Sequence, residues 1–357
     1  MPFLSVSLTN FRNLKDETFD FNSKEIFFVG VNGQGKSNLL EALYILAYGN
    51  SFRAHTESEI IKNGEKFCLL KTLFRSEDEK GCTINFKFDG KKREIEKNTK
   101  KIKDRKEILN TIPCIIFSHE DLDFVIGEPE RKRFFFDQTL SMYDILYIDT
   151  IRKYKKILKT RNSVLKSKNY DLLDALDVQL AETGSEICQK REKIIFNYNV
   201  FFADLYKEIS GIEDISLYYS SSWKTKSVNE IITLLEENRE QDKALEYTSS
   251  GIHRDNILFV KNKKNFVHTA STGQRRLLAL LLRIIQAKFY FSRTQRNPIL
   301  LLDDVLLELD QEKRNKVMQL LPDYDQLFCT FLPTENYDKY KKSGTKVFFI
   351  NQGECSE

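Results

Sequence analysis

The sequence has few of the residues that build disulfide frameworks and metal clusters. Its 357 residues include six cysteines and four histidines. The cysteines are scattered, with no CxxC and no paired spacing, so we expect reduced thiols and neither a zinc site nor a disulfide framework. No histidine has a Cys or His partner at ligand spacing, and a metal cluster built on these residues is therefore not expected.

Long apolar runs are missing as well. The longest, 277–282, ends at Arg283 and falls well short of the ~20 residues that a membrane helix needs. The N-terminal segment MPFLSVSLTNFRN lacks the charged start and apolar core of a secretory signal. We expect a cytoplasmic protein with no membrane partner.

The bulk composition is that of a folded protein. With 41% hydrophobic and 30% charged residues, it excludes a disordered chain. The length predicts two domains. A net charge of +4 and a pI near 8.5 are compatible with a nucleic-acid partner but do not indicate one.

Hydrophobic periodicity predicts an α/β protein interrupted by helices. We expect strands at 3–8, 25–29, 68–74, 83–88, 114–117, 257–260, 299–302, 327–330 and 347–350. We expect helices at 38–48, 151–165, 172–207, 274–291 and 311–320, the second and third as an antiparallel hairpin. The basic segment 91–106 is interpreted as an exposed loop or helix face. Trp223 and the phenylalanines are assigned to the core.

A glycine-rich loop joins the strand at 25–29 to the helix at 38–48. It fits the P-loop pattern G-x-x-x-x-G-K-[ST], and the flanking strand and helix argue against a chance glycine turn. The glycines let several backbone N–H groups converge, and the helix adds its positive dipole end. Lys36 can reach the β- and γ-phosphates, and Ser37 can ligate Mg²⁺. The expected ATP contacts are Gly30, Val31, Asn32, Gly33, Gln34, Gly35, Lys36, Ser37 and Asn38.

Two acids follow the four large aliphatic residues at 299–302. Asp303 stands where a P-loop protein places the carboxylate of its magnesium shell. Asp304 is then placed to orient or polarise the attacking water. The alternative, a capped strand end, explains two adjacent acids after a buried strand less easily. We expect Ser37 and Asp303 to hold Mg²⁺ and Asp304 to act with Lys36 in catalysis.

The segment Ser271-Thr272-Gly273-Gln274 precedes the apolar helix at 274–291. One interpretation is a capping box, with Ser271 as N-cap and Gln274 at position N3. The other is a second anion site, with the Ser271 hydroxyl and the Gly273 N–H directed at a γ-phosphate. Ser271 lies 32 residues before Asp303, and this spacing favours the second interpretation, which is typical of ATP-binding-cassette ATPases. ATP would then be bound between two copies, with Ser271, Gly273 and Gln274 at a two-fold interface.

Motifs in a fixed order resemble the RecF family, within the SMC-like branch of the cassette ATPases. They are NFRN at 10–13, GVNGQGKSNLLEALYILAYGNSFR at 30–53, IFSHEDL at 116–122, RKRFFFD at 131–137, GIHRD at 251–255, STGQRR at 271–276 and ILLLDDVLLELD at 299–310. The resemblance implies an ABC-type P-loop ATPase head of mixed sheets with helices, plus a helical arm domain inserted in sequence. We place the head at 1–120 and 236–357 and the arm at 121–235.

The resemblance also implies a function. It is that of an ATP-dependent homodimer that binds DNA at single-strand gaps and stalled forks, including duplex and single/double-strand junctions. It would act with RecR and RecO, help to load RecA and support the SOS response. Weak, DNA-stimulated ATP hydrolysis would release the dimer. By position, Asp310 matches a loop that crosses the dimer interface, Arg12 a nucleotide contact, and Arg53 a link between nucleotide and DNA.

This sequence departs from the family pattern at several positions. Leu307 stands where the family usually has serine, which removes a hydroxyl at the expected dimer crossing. Asp304 stands where transporter cassettes have glutamate, so a shorter side chain is consistent with slow turnover. No histidine follows the strand that ends at Thr330. The string 251–255 has no mechanical role that we can derive, and we interpret it as a structural hydrogen-bond cluster.

No motif for reading bases is found, so we expect DNA binding that is independent of sequence. The candidate surfaces are the basic segment 91–106 and the positions Arg152, Lys155, Lys156 and Lys159. For each segment taken alone, a merely solvated face is an equally good interpretation.

Three other functions stay open at this point. A transporter cassette subunit is disfavoured by the STGQ form of the signature and by the missing histidine. A P-loop kinase would have no use for a signature helix. A scaffolding protein with ATP as a structural ligand is compatible with the same motifs, because an intact nucleotide site does not reveal its rate.

Overall fold

The computed structural model describes residues 2–307 and 309–357. They form two compact units. Unit 1 comprises the residues up to Asp121 together with 286–357, and unit 2 comprises 122–285. Each unit is described by itself.

The helices and strands follow one another along the chain in three blocks. The first block contains β1 (Phe3–Thr9), β2 (Glu17–Asp20), β3 (Glu25–Val29), α1 (Lys36–Tyr48), β4 (Cys68–Arg75), β5 (Gly81–Phe88), β6 (Arg93–Lys97), β7 (Lys100–Lys101), α2 (Lys106–Leu109) and β8 (Cys114–Phe117). The second contains α3 (Asp123–Ile126), α4 (Pro129–Ser141), α5 (Ile145–Ser167), α6 (Leu173–Ser210), β9 (Ile215–Ser220), α7 (Val228–Glu237), α8 (Arg239–Leu245), β10 (Asn256–Lys261), β11 (Lys264–Asn265) and α9 (Thr272–Thr294). The third contains β12 (Ile299–Leu302), α10 (Gln311–Leu320), β13 (Gln326–Phe331), β14 (Lys346–Asn351) and β15 (Glu354–Ser356).

The core of unit 1 is a six-stranded sheet in the order β15-β14-β3-β13-β12-β8. All its pairs are parallel except that of β14 with β15. Strands β3, β8, β12 and β13 are buried along their whole length, as expected for strands covered on both faces. Because these strands are parallel, their carboxyl ends lie along one edge, where α/β proteins bind ligands.

A second six-stranded sheet in unit 1 is antiparallel, in the order β2-β1-β4-β5-β6-β7. Strand β4 alternates between buried and exposed residues, which is the pattern of a sheet with one solvated face. Helix α1 contacts both sheets, and eleven of its residues are buried. The helix that begins at the glycine loop is therefore fixed on two sides.

Unit 2 is built on the hairpin of α5 and α6. Asp144 caps the N-terminus of α5 by accepting from the Tyr147 N–H, and Gly211, at φ 71°, ends α6. Inside α6, Gly184 lies under the buried indole of Trp223, so close that an added Cβ would be 2.4 Å from the ring. The hairpin expected from the apolar spacing is present, and Trp223 is a core residue, as predicted.

The three-stranded sheet β11-β10-β9 belongs to unit 2. Strand β9 packs on α6, and β10 packs on α4. The expected boundary between 235 and 236 therefore falls inside a compact unit that continues to Ile285. Residues 236–285 group with the helices because this sheet packs on them.

Two other expectations differ from the structure. The basic segment 91–106 contains the antiparallel pair β6 and β7, in which Ile95 is buried in the core between half-buried polar residues. Not all phenylalanines are core residues, since Phe134 and Phe196 are exposed by 50% and 69%.

Among the helices in the described part of the chain, none has the length and hydropathy needed to cross a bilayer.

Candidate nucleotide-binding site

The glycine loop leaves the carboxyl end of β3 and enters α1 at Lys36. Gly33 and Gly35 have φ of 80° and 121°, a region that favours glycine. A Cβ on Gly35 would lie 2.7 Å from Leu14, so space as well as backbone conformation requires glycine there. The buried Lys36 ammonium donates to the carbonyls of Gly30 at 2.9 Å and Val31 at 3.3 Å. The loop has the form of a phosphate cradle with its cation folded inward.

Asp303 is brought to this loop by the sheet. Strand β12 lies two strands from β3, and the Asp303 N–H donates to the Phe117 carbonyl at the end of β8. The Ser37 hydroxyl donates to Asp303 Oδ1 at 2.6 Å. Burial raises the pKa of Asp303 to about 6, against the lowering effect of the Ser37 hydrogen bond, and the negative charges of Asp304 and Glu120 add to the rise.

These residues fit a magnesium ion. Hydroxyl and carboxylate oxygens are the ligands that Mg²⁺ prefers, and the ion usually completes its shell with water and substrate phosphates. Burial is the main cause of the raised pKa of Asp303, and a bound cation would stabilise the ionised form of this buried carboxylate. The expected metal residues Ser37 and Asp303 therefore lie together at the start of α1.

Asp304 lies beside the buried lysine. Its Oδ2 is 3.9 Å from Lys36 Nζ, and its side chain is 32% exposed. The backbone of Asp304 has a φ of 52°, which is uncommon for a residue other than glycine. The Thr330 hydroxyl, at the end of β13, contacts both the backbone and the side chain of Asp304. The expected catalytic residues Lys36 and Asp304 are thus neighbours in the structure.

Arg12 and Arg53 share one buried carboxylate. Arg12 donates two hydrogen bonds to Glu41, at 2.7 and 2.9 Å, and Arg53 donates two more, at 3.0 and 3.1 Å. Glu41 is fully buried. Burial alone would raise its pKa, but the hydrogen bonds and charges of the two arginines hold that pKa below its ordinary value. Both arginines are therefore fixed one turn beyond Ser37.

A chain of polar contacts connects the arginines to the glycine loop. Arg53 donates to Asn38 Oδ1, Asn38 donates to Asn13 Oδ1 at 2.5 Å, and Asn13 donates to the Gly33 carbonyl at 3.3 Å. A depression of about 790 Å³ opens beside this chain. It is lined by Arg12, Asn13, Asn38, Arg53, Glu59, Ile61, Lys62, Asn63 and Glu120. The depression is next to the start of α1 and has room for a ligand larger than phosphate.

The signature residues lie in unit 2. The Ser271 N–H donates to Gln274 Oε1 at 2.7 Å, and the Gln274 N–H donates to Ser271 Oγ at 3.3 Å. This is the capping box that the sequence allowed. Ser271 and Gly273 are exposed, and no acidic side chain occupies the first turn of α9.

Asp310 is the N-cap of α10, where its carboxylate accepts from the Lys313 N–H at 2.9 Å. It also forms an ion pair with the Lys313 side chain. Glu308, in the same expected interface segment, lies outside the described residues. Asp310 remains exposed, as a residue at an interface between copies would be.

The four basic candidates for DNA contact share one face of α5. Arg152, Lys155, Lys156 and Lys159 are all exposed, and their spacing places them on adjacent turns. Arg161, two positions further, does not belong to this surface. It is fully buried and donates to Asp177 at 2.6 Å and to Asp242 at 2.7 Å. Arg53, the other candidate, is committed to Glu41 and Asn38.

Sequence reasoning missed Glu41, Glu120 and Thr330 at this site. Glu41 could have been found from its spacing, because it lies one helical turn after Ser37 and so shares its face of α1. Glu120 and Thr330 carry no local pattern. They join the site only because β8 and β13 end at the same edge as β3 and β12.

The string 251–255 forms a hydrogen-bond cluster. His253 Nδ1 lies 2.9 Å from the Tyr154 hydroxyl, and its Nε2 lies 3.2 Å from the Thr248 carbonyl. Asp255 is buried and accepts from Arg191 at 3.1 Å. Burial lowers the pKa of His253 to about 4, so this ring is neutral near pH 7. The geometry has the form of the structural cluster that the sequence suggested.

Comparisons with known proteins agree with this fold. The sequence profile of the RecF/RecN/SMC N terminal domain matches residues 3–356. The DNA replication and repair protein RecF of Treponema pallidum (strain Nichols) is 49% identical over 98% of this chain and 99% of that protein. The protein of the same name from Leptospira interrogans serogroup Icterohaemorrhagiae serovar Lai is 32% identical over 98% of this chain and 97% of that protein.

Solved structures give the same result. The structure of the recombination mediator protein RecF with ATP, from the RecFOR pathway, superposes with a TM-score of 0.88 at 30% identity, covering 99% of this chain and 96% of that chain. An Smc head bound to the C-winged helix domain of ScpA matches with a TM-score of 0.61 at 15% identity, covering 99% of this chain and 96% of that chain, which shows the fold alone.

The fold and the P-loop site therefore define an ABC-type P-loop ATPase head with mixed α/β sheets, of the kind found in SMC proteins. Within this class, the chain belongs to the RecF family.

Proposed function

We propose that this protein is an ATP-dependent DNA-binding protein of recombinational repair, which dimerises around ATP and releases DNA when ATP is slowly hydrolysed. The observation that carries the proposal is the cluster of Lys36, Ser37, Asp303 and Asp304 at the end of β3 and β12. Two relatives support it, since one, similar in sequence, is named as a DNA replication and repair protein, and another, similar in structure, was solved with ATP.

The chain's own residues account for ATP binding. Lys36 donates to two loop carbonyls here and would exchange them for β- and γ-phosphate oxygens. Ser37 and Asp303 would hold Mg²⁺, which neutralises phosphate charge when bound. Asp304, beside Lys36, would accept a hydrogen bond from the attacking water and so orient it. The nucleoside would extend into the depression beside Arg12 and Asn38.

The second half of the nucleotide site would come from another copy of the chain. Ser271 and Gly273 are exposed at a helix start with no acidic side chain in its first turn. Such a helix start attracts phosphate through its unpaired N–H groups and its dipole. A two-fold arrangement would direct these residues at the γ-phosphate on the partner's Lys36, with Gln274 and Asp310 at the interface.

DNA would be bound through phosphates. The exposed basic face of α5 supplies the charge, and neither unit contains a base-reading motif in its sequence. As the resemblance implies, the proposed substrates are gaps, stalled forks and duplex or junction DNA. The proposed protein partners are RecR and RecO, with which the protein would help to load RecA and support the SOS response. Its hydrolysis of ATP would be stimulated by DNA, and its proposed location is the cytoplasm.

Sedimentation velocity with and without ATP–Mg²⁺ tests the proposal. The unaltered chain is expected to change from monomer to dimer when ATP–Mg²⁺ is added. Ser271→Arg should bind ATP with unchanged affinity and stay monomeric, because the bulky cation disrupts only the partner-facing helix start. Ser343→Arg is the control and should dimerise normally, because this exposed turn lies beside Ser23, at the opposite end of β3 from the glycine loop. Dimers of Ser271→Arg at the same ATP concentration would refute the two-copy site.

A further inference from the structure

Thr330 is the last residue but one of β13, the strand that lies between β3 and β12. Its backbone is in register with Phe28 of β3, and the preceding Cys329 is in register with Leu302 of β12. Thr330 therefore stands between the strand that leads into the glycine loop and the strand that leads into the two acids. Its residue surface is only 3% exposed.

The Thr330 hydroxyl makes two contacts with the same residue. It accepts from the Asp304 N–H at 2.8 Å and donates to Asp304 Oδ1 at 2.8 Å. The Leu302 carbonyl is a more distant acceptor, at 3.4 Å. A hydroxyl has one proton to donate, and a hydrogen bond to a carboxylate is stronger than one to a neutral carbonyl. The Thr330 hydroxyl therefore donates its hydrogen bond to the Asp304 carboxylate and not to the Leu302 carbonyl. The hydroxyl therefore fixes both the backbone and the side chain of Asp304.

Asp304 needs such support. Its φ of 52° lies in the left-handed region, which costs a residue with a Cβ about 1 kcal/mol or more unless its surroundings hold it there. The two carboxylate oxygens are also divided between different neighbours. Oδ1 accepts the hydrogen bond from the Thr330 hydroxyl, and Oδ2 lies 3.9 Å from Lys36 Nζ. With Oδ1 occupied, Oδ2 is the oxygen directed to the phosphate side of the site.

We propose that Thr330 is a positioning residue, whose hydroxyl holds Asp304 so that Oδ2 is presented to the water that attacks ATP. This inference rests on the proposed role of Asp304 in hydrolysis. In this proposal Thr330 acts through Asp304 and not on the nucleotide directly. Its effect is expected on the rate of hydrolysis and not on the binding of ATP, since the hydrogen bonds of Lys36 and Ser37 go to Gly30, Val31 and Asp303.

The test compares Thr330→Val, which has the same shape without the hydroxyl, with Thr330→Ser, which keeps it. For Thr330→Val we expect kcat to fall about 10- to 100-fold, because misplacement of a reacting group by about 1 Å costs up to about 100-fold. ATP affinity, measured with a fluorescent ATP analogue, should change by less than about threefold and thereby report a folded site. Thr330→Ser should restore kcat, and Thr330→Val should prolong the lifetime of ATP-driven dimers.

Asp304→Asn and the double variant separate the possible outcomes. If Thr330 acts through Asp304, Thr330→Val should add no further loss to the kcat of Asp304→Asn. An added loss would overturn the inference, as would a normal kcat for Thr330→Val when Asp304→Asn is slow. A normal kcat for Asp304→Asn would overturn the proposed role of Asp304 and this inference with it. If Thr330→Val does not fold, Thr330→Ala gives the same comparison.

Discussion

Replacing Glu41 by glutamine should cost more stability than any other single charge removal near the glycine loop. The glutamate is fully buried and accepts from Arg12, Arg53 and Ser51. Glutamine keeps one acceptor oxygen but turns an amide N–H₂ towards arginine N–H groups, which can only donate. It also removes the buried counter-charge of two part-buried guanidinium groups and leaves Arg12 facing only the exposed Glu59, at 4.0 Å.

The magnitude follows from the contacts. Breaking a buried ion pair by removing one partner costs about 3–5 kcal/mol, because an uncompensated charge stays behind. Glutamine retains some hydrogen bonding, and the arginine side chains are 19% and 23% exposed, so water can take up part of the loss. We therefore expect about 3 kcal/mol, which is a large part of the 5–15 kcal/mol of a typical domain.

Urea unfolding, followed by circular dichroism with and without ATP–Mg²⁺, measures this loss. Glu59→Gln is the matched control, since Glu59 also faces Arg12, at 4.0 Å, but its side chain is 38% exposed. An exposed pair of this kind contributes about 0–1 kcal/mol. Equal effects of Glu41→Gln and Glu59→Gln, or a loss below 1 kcal/mol for Glu41→Gln, would refute the idea that one buried carboxylate holds both arginines.

Three further predictions follow from other parts of the molecule. Gly184→Ala should lower the melting temperature, since overpacking against Trp223 costs about 1–3 kcal/mol. Gly81→Ala is the control and should be near neutral, because its added Cβ would lie 3.5 Å from Leu73. Scanning calorimetry compares the two variants. Because the pKa of His253 is lowered to about 4 in the folded protein, the unfolded chain binds more protons than the folded one between pH 4 and 6.5. Acidification from pH 7.5 to 5 should therefore lower the free energy of unfolding by about 2 kcal/mol. Urea titrations should show a smaller loss for His253→Gln, and equal losses would contradict this assignment. Changing Arg152, Lys155, Lys156 and Lys159 to glutamate should reduce the salt dependence of duplex binding while ATP binding persists; an unaltered slope would remove α5 from the DNA surface.

The sequence predicted best what depends on local pattern. Strands β3 and β12 were found because runs of large aliphatic and aromatic residues mark strands buried on both faces. Helix α10 was predicted at its observed bounds. The P-loop was found because its glycines and lysine carry their chemistry in a short segment. The family was also identified correctly from the order of its motifs.

The sequence predicted poorly what depends on distant partners. Strand β6 was missed because lysine, arginine and glutamate dominate it, and only Ile95 marks the buried face. Arg161 resembles its exposed basic neighbours on α5, yet it is buried because Asp177 and Asp242 reach it from other helices. Thr330 gains its contact with Asp304 only from strand order. None of these positions has a signal within its own segment.

A structure of the protein with a non-hydrolysable ATP analogue and Mg²⁺ tests the central claim most directly. The measured quantity is the distance from Ser271 Oγ to the γ-phosphate bound by the other copy's Lys36. We predict a hydrogen-bond distance of about 3 Å, with the nucleotide enclosed between two copies. A nucleotide bound at Lys36 with the Ser271 helix start facing solvent in both copies would contradict the account.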